Sequence, residues 1–177
     1  MKTFPKILLS LFVLLACVGC DRITKNAAQA QLTPGEPISH LGGVVVFEYA
    51  ENPGAMLGFG ADLPPLARTW MLIGFNSLVL AAVLFFTLRH RHMTAFSVAA
   101  GALMVGGGIG NIIDRLINDG LVIDFVHIGV GSLRTGVFNV ADVAILSGAG
   151  LLVFWSTRST PEQEEGKELP IDSGENQ

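Results

Sequence analysis

The chain has 177 residues and a mass of 18.8 kDa, with 50% hydrophobic and only 15% charged residues and a mean hydropathy of +0.54. That is about one domain's length, which excludes a large multidomain enzyme, and charge this sparse does not cover a soluble globule, whose usual share is roughly 25%. The formal net charge of −4 is set by residues 159–177, where Glu162, Glu164, Glu165, Glu168, Asp172 and Glu175 face Lys167 alone, a balance of −5 that leaves +1 for residues 1–158; the body is near neutral and lacks the basic face that a nucleic-acid partner requires.

Four apolar runs approach or reach the roughly 17–25 residues that cross a bilayer core of about 30 Å. The first follows Lys2 and Lys6, is apolar from Ile7 to Cys20, and reaches spanning length, about 6–25, when Asp21, Thr24 and Lys25 continue the helix. A basic start, an apolar run and small residues before a cysteine also describe a signal peptide, and Leu14-Leu15-Ala16-Cys17 and Val18-Gly19-Cys20 both imitate a lipoprotein cleavage box. The three later spans and the extra helical turn favour a membrane span. Cys17 and Cys20, close together on one helix, are badly placed for a disulfide. With no H-E-x-x-H pair and no second cysteine cluster, a metal site is poorly supplied.

Residues 26–65 form an extramembrane segment in which Thr33-Pro34-Gly35-Glu36-Pro37 is turn chemistry and residues 42–51, β-branched and aromatic, predict strand or hairpin. The second span is predicted at 66–88, the third at 94–113 and the fourth at 140–157. Gly101, Gly106, Gly107, Gly108 and Gly110 bare one segment of the third span, with Gly106 and Gly110 spaced as G-x-x-x-G, a pattern for close helix packing. The short basic N-terminus, the Arg89-His90-Arg91-His92 turn and Arg158 put both termini in the cytoplasm by the positive-inside rule, with residues 21–65 and 114–139 on the other side. The expected fold is an all-α membrane protein of four transmembrane helices carrying a small extramembrane β-sheet on the non-cytoplasmic side. It forms one domain, 1–158, with a disordered acidic cytoplasmic tail at 159–177.

Ionisable side chains at membrane depth are costly, about 2.5–3.5 kcal/mol on translocon scales, and mark functional sites by default. Here they gather at the non-cytoplasmic ends of the spans: Asp21 and Lys25; Asn52 with Gly54; Asn111, Asp114 and Arg115; Asp124; Asn139 and Asp142. Asp21 and Lys25, like Asn111 and Arg115, are four residues apart and share a helix face. Asn139 is placed to cap the fourth helix, with Asp142 three residues on, where the helix dipole favours a carboxylate. Taken singly, each group has a plainer reading as a cap, a surface ion pair or an interfacial anchor. Caps do not explain Asp124, isolated in Leu121-Val122-Ile123-Asp124-Phe125-Val126, where a carboxylate is either desolvated or paired.

Two neighbouring carboxylates that share a proton are the working part of an aspartic peptidase, one taking a proton from water while the other donates to the substrate. Asp124, flanked by apolar residues, and Asp142, at a helix start, suit this: their differing environments are of the kind that separates two proton affinities, and the sequence leaves open which of the pair holds the shared proton. Zinc chemistry lacks its motif, Ser147-Gly148 follows Ile145 where a rhomboid-like Gly-x-Ser-Gly needs glycine, and the presenilin-type Gly-x-Gly-Asp is absent.

At these residues the chain resembles the bacterial lipoprotein signal peptidases, also called signal peptidase II. Five ordered blocks carry the resemblance: Asp21-Arg22-Ile23-Thr24-Lys25; Asn52-Pro53-Gly54-Ala55-Met56; Gly110-Asn111-Ile112-Ile113-Asp114-Arg115; Val122-Ile123-Asp124-Phe125; and Phe138-Asn139-Val140-Ala141-Asp142. It covers about residues 6–157. It implies that Asp124 and Asp142 are the catalytic dyad and that Asp114 is supportive. Asn52, Gly54, Asn111, Arg115 and Asn139 line the site, and Asp21 and Lys25 support its architecture. The implied substrate is a prolipoprotein with diacylglyceryl on its cysteine, cut just before that cysteine. No metal or organic cofactor and no obligate protein partner are implied; membrane lipid is. The implied address is the bacterial inner membrane, with the site and the sheet near the periplasmic face. Two departures stand out, the cleavage-box-like Val-Gly-Cys directly before Asp21 and Pro53 stiffening the loop after Asn52. The rivals are a small multipass transport or scaffold protein with a polar cavity, and a lipidated protein itself cleaved at Cys17 or Cys20.

Overall fold

The computed structural model describes residues 2–54 and 63–158. Ala55 and Met56 of the second block and the acidic stretch 159–177 lie outside the described residues. The order of elements is α1 (Thr3–Gln31), β1 (Ile38–His40), a 3-10 turn (Leu41–Gly43), β2 (Val45–Asn52), α2 (Pro65–Arg89), α3 (Ala95–Ile117), β3 (Val122–Val130), β4 (Leu133–Arg134) and α4 (Val140–Arg158). The four α-helices are each long and apolar enough to cross a membrane.

Local chemistry sets the helix ends. α1 runs past Lys25 because Asn26-Ala27-Ala28-Gln29-Ala30-Gln31, although not apolar, is rich in good helix formers. It stops short of Pro34, whose ring disfavours a helical residue before it. Pro65 occupies the first turn of α2, where a missing N–H costs nothing. α3 opens on a capping box, with Thr94 Oγ accepting from Ser97 N and Ser97 Oγ accepting from Thr94 N. Lys6, read from sequence as a flanking cation, is buried and donates to the main-chain carbonyl of His90 at the end of α2.

α3 is the axis of the bundle: 61% of its apolar stretch is buried, against 17% for each of the other three. Its glycines are the reason. A Cβ at Gly106 would press on Cys17 of α1, at Gly107 on the main chain of Ala141 in α4, at Gly108 on Leu80 of α2, and at Gly110 on the Asp21 carboxylate. Helix association in lipid rests on such close backbone approach. Cys17 and Cys20 are free thiols.

At one end of the bundle lies an antiparallel sheet in the order β1-β2-β3-β4. It differs from the expectation in two ways. The predicted strand at 42–51 starts later, because Gly42 and Gly43 have positive φ and close a turn, and it runs on to include Asn52. The string around Asp124, given no strand from sequence, is the long strand β3. Its first four residues, Val122 to Phe125, are all buried, so the alternation that marks a half-exposed strand is absent. Ala50 pairs with Asp124 and Asn52 with Val122, with a bulge between Phe47 and Ala50. The register therefore sets Asn52 and Asp124 two residues apart on one face of the sheet.

Candidate active site

The polar residues form two connected layers where the sheet meets the helices. The deeper layer is ionic. Lys25 of α1 lies with its Nζ 2.9 Å from Asp21 Oδ2, 2.7 Å from Asp114 Oδ2 and 3.0 Å from Asn111 Oδ1. The side chains of Asp21, Lys25 and Asp114 are fully buried, so this is no surface ion pair. Arg22 pairs with Asp114 from the partly exposed side. The carboxylates also fasten main chain: Asp21 Oδ1 accepts from Ala141 N at 3.1 Å and Asp114 Oδ2 from Ile123 N at 3.2 Å. One charge-balanced cluster thus joins α1, α3, the start of β3 and the start of α4. Buried charges persist only when paired and hydrogen-bonded in this way.

The second layer holds the other two aspartates. Asp124 is 2% exposed; its Oδ1 accepts from Asn139 Nδ2 at 2.6 Å and its Oδ2 from Asn52 Nδ2 at 3.0 Å. Asp142 Oδ1 accepts from Asn111 Nδ2 at 2.9 Å, and its Oδ2 accepts from the Asn139 main-chain N–H at 3.2 Å. In return the Asp142 N–H donates to Asn139 Oδ1 at 2.9 Å, which makes Asn139 the cap of α4. Asn139 Nδ2 also lies 3.2 Å from Asn111 Oδ1. A continuous chain of side chains therefore runs Asn52, Asp124, Asn139, Asn111, Asp142.

Arg115, one turn beyond Asn111, donates from Nη1 to the Asn111 carbonyl at 3.2 Å and from Nη2 to the Gly54 carbonyl at 2.9 Å. Gly54 N donates to Asn52 Oδ1 at 3.0 Å, so the loop after β2 is tied to the same network. Asn52, Gly54, Asn111, Arg115, Asp124 and Asp142 all line one cavity of about 290 Å³, whose deeper walls are Val79, Leu80, Met104 and Ile145. Asp21, Lys25 and Asp114 stand behind that lining. Burial pushes the Asp124 carboxyl up to about 6, the charge of Asp142 adds to the rise, and the amides of Asn52 and Asn139 oppose it.

All ten residues singled out from the sequence meet in this assembly, in the two layers described. Two participants were missed. Arg22, quoted only within its block, is the second cation of the buried cluster. Asn76 of α2, a lone amide in an apolar span, lines the cavity opposite the aspartates; its one sequence signal was its polarity at membrane depth. Among the described residues no group of three or more His, Cys, Asp or Glu is arranged to hold a metal ion.

Comparison with known proteins gives the family and the fold. The family model described as signal peptidase (SPase) II matches residues 13–158. The chain is 36% identical to a lipoprotein signal peptidase of Chlorobium luteolum, over 93% of this chain and 97% of that one. It is 35% identical to those of Chlorobium phaeobacteroides, over 85% and 91%, and of Azoarcus sp., over 88% and 86%. A solved bacterial membrane enzyme superposes with a TM-score of 0.73 over 92% of this chain and 93% of that chain, at 23% identity, and so shares its fold.

Proposed function

Because this chain belongs to the signal peptidase II family and removes signal peptides from prolipoproteins, we propose that it does so as an aspartic endopeptidase with Asp124 and Asp142 as the catalytic pair. The observation that carries the proposal is that these two carboxylates line one cavity and are wired to each other through Asn139. Asp142, ionised, takes a proton from a water molecule whose oxygen attacks the carbonyl carbon before the lipidated cysteine. Asp124, protonated, gives its proton to the carbonyl oxygen. Collapse of the tetrahedral intermediate breaks the C–N bond: Asp142 passes the proton it took to the departing amine of the cysteine, Asp124 takes back the proton it gave as the carbonyl re-forms, and the signal peptide leaves with a new carboxyl group. Asn52, Asn111 and Asn139 hold the two carboxyl groups in place, Arg115 holds the Gly54 loop against the cavity, and Asp21, Lys25 and Asp114 brace the helices beneath.

The substrate carries diacylglyceryl on its cysteine and enters sideways from the outer leaflet, its lipid among the spans. The sheet covers the scissile bond and excludes bulk water, which strengthens every charge interaction inside. This multipass protein lies in the bacterial inner membrane with both termini cytoplasmic and the site near the periplasmic face. Residues 1–158 act as one peptidase unit, and 159–177 are its cytoplasmic tail.

The test is cleavage of a diacylglyceryl-modified precursor peptide by the purified chain in detergent. Asp124→Asn and Asp142→Asn should each abolish cleavage while the protein stays folded, and full activity in either variant sinks the assignment. An intact N-terminus by mass spectrometry excludes cleavage of this chain at Cys17 or Cys20, and failure of the unaltered protein to process the peptide favours a transporter or scaffold.

A further inference from the structure

Among the described residues, two hydrogen-bonding groups in the cavity wall remain over once the network is complete. One is Nε of Arg115, buried without a partner. The other is the side-chain amide of Asn76, which makes no hydrogen bond to any described residue.

Asn76 stands one helical turn from Leu80 on the same face of α2. Leu80 fills the space that a side chain at Gly108 would need. α2 and α3 run antiparallel across their short connection, so one turn from Leu80 on α2 is level with the Asn111 turn of α3. Asn76 therefore lies at the height of the amides that hold the aspartates, on the opposite wall. α2 and α4 both pack along α3 and make no comparable contact with each other among the described residues. The cavity is thus the upper end of a cleft floored by Gly108 and Met104, with Val79 and Leu80 of α2 on one side and Ile145 of α4 on the other.

A helical signal segment cannot be cut as it stands, because its carbonyls are hydrogen-bonded and screened by the turn above. Opening the helix strands N–H and C=O groups between apolar walls, where each unpaired group is costly. A side-chain amide offers two donors and an acceptor and so matches a peptide group on both its edges. We propose that Asn76 binds the main chain of the signal segment immediately before the scissile bond, donating to a C=O and accepting from an N–H, and so holds that segment open for cleavage. The inference rests on the placement of the substrate described above.

The test uses the full chain in detergent and a diacylglyceryl-cysteine precursor peptide, together with analogues in which an ester replaces the peptide link at each of the four residues before the cysteine. Asn76→Leu, which suits an apolar wall and spares the fold, should lower kcat/KM about tenfold, mostly through KM. One ester position should cost the unaltered enzyme a similar factor and cost Asn76→Leu nothing further. Binding of uncleaved peptide to Asp124→Asn should weaken by the same factor when Asn76→Leu is added. An unchanged KM, or ester penalties equal in both enzymes, overturns the proposal. Should Asp124→Asn still cleave, the aspartic assignment fails, and the ester comparison still decides the role of Asn76.

Discussion

Asn139 Nδ2 stands 2.6 Å from Asp124 Oδ1 while the carbonyl oxygen of the same side chain accepts from the main-chain N–H of Asp142 at 2.9 Å. One amide therefore both caps a helix and fixes the spacing of the two carboxylates.

Asn139→Ala removes both functions together. The expected outcome is a fall in kcat of about 10²–10³, the usual cost of losing a positioned donor in a preorganised site. Stability should drop by roughly 1–2 kcal/mol from the lost cap. Turnover of a lipidated peptide and thermal unfolding in the same detergent check both, and undiminished turnover removes Asn139 from the site's workings.

Asp124 predicts a pH dependence with a definite sign. Its carboxyl is raised to about 6, so the protonated acid that the proposed mechanism needs persists to that pH and is lost above it. On kcat/KM, which reports the free enzyme, activity should fall about tenfold per unit as pH rises beyond about 6. Stability follows the same sign. The folded state holds this proton more tightly than the unfolded chain, so the contribution is present below about 3.8 and is lost as pH rises through about 6, by up to roughly 3 kcal/mol. Asp124→Asn should therefore melt higher than the unaltered protein at pH 8 and show no such advantage at pH 4. Parallel melting profiles for the two proteins across that range contradict the assignment.

Lys25 holds two buried carboxylates at once. Lys25→Met should cost about 3–5 kcal/mol, because Asp21 loses its cation and Asp114 keeps only Arg22. The double variant Lys25→Met/Asp21→Asn, which removes one orphaned charge, should recover part of the loss. Melting temperatures of the three proteins read this directly; a double variant no more stable than the single one means that charge balance is not what the cluster provides.

The glycines of α3 and α4 offer a paired comparison. A methyl group at Gly107 meets the main-chain carbonyl of Ala141, whereas one at Gly150 meets nothing. Gly107→Ala should destabilise the fold by about 1–3 kcal/mol and reduce turnover by displacing the first turn of α4, where Asp142 sits. Gly150→Ala should leave both unchanged. Equal behaviour of the two variants shows that α3 and α4 have room to part.

Much of the site was legible because a membrane makes polarity expensive: Asp21, Lys25, Asn111, Asp114, Arg115, Asn139 and Asp142 stand out against apolar spans, and helix spacing alone pairs several of them. What stayed hidden depends on contacts between distant stretches. β3 looked like any buried apolar string, since strand and helix cannot be told apart where every residue is covered, and only its ladder with Val45–Asn52 makes it a strand. The end of α1 was set too early because hydropathy stops at Lys25 while helix propensity continues to Gln31. Arg22 lies one residue from Asp21, off the face that Lys25 shares, so helix spacing gave no reason to pair it with Asp114. Asn76 has no motif to belong to.

Asp124 is positioned by rungs of a main-chain ladder, outside the apolar spans, and Asp142 by the first turn of a helix within one. Two different rulers thus meet at Asn139, which bonds Asp124 and caps the helix of Asp142. Asp21 fastens the main chain of Ala141 and Asp114 that of Ile123, and Lys25 holds both carboxylates. A bilayer that thickens or thins tilts helices to match; the clamps make the first turn of α4 and the start of β3 one rigid piece, so a tilt carries both carboxylates together.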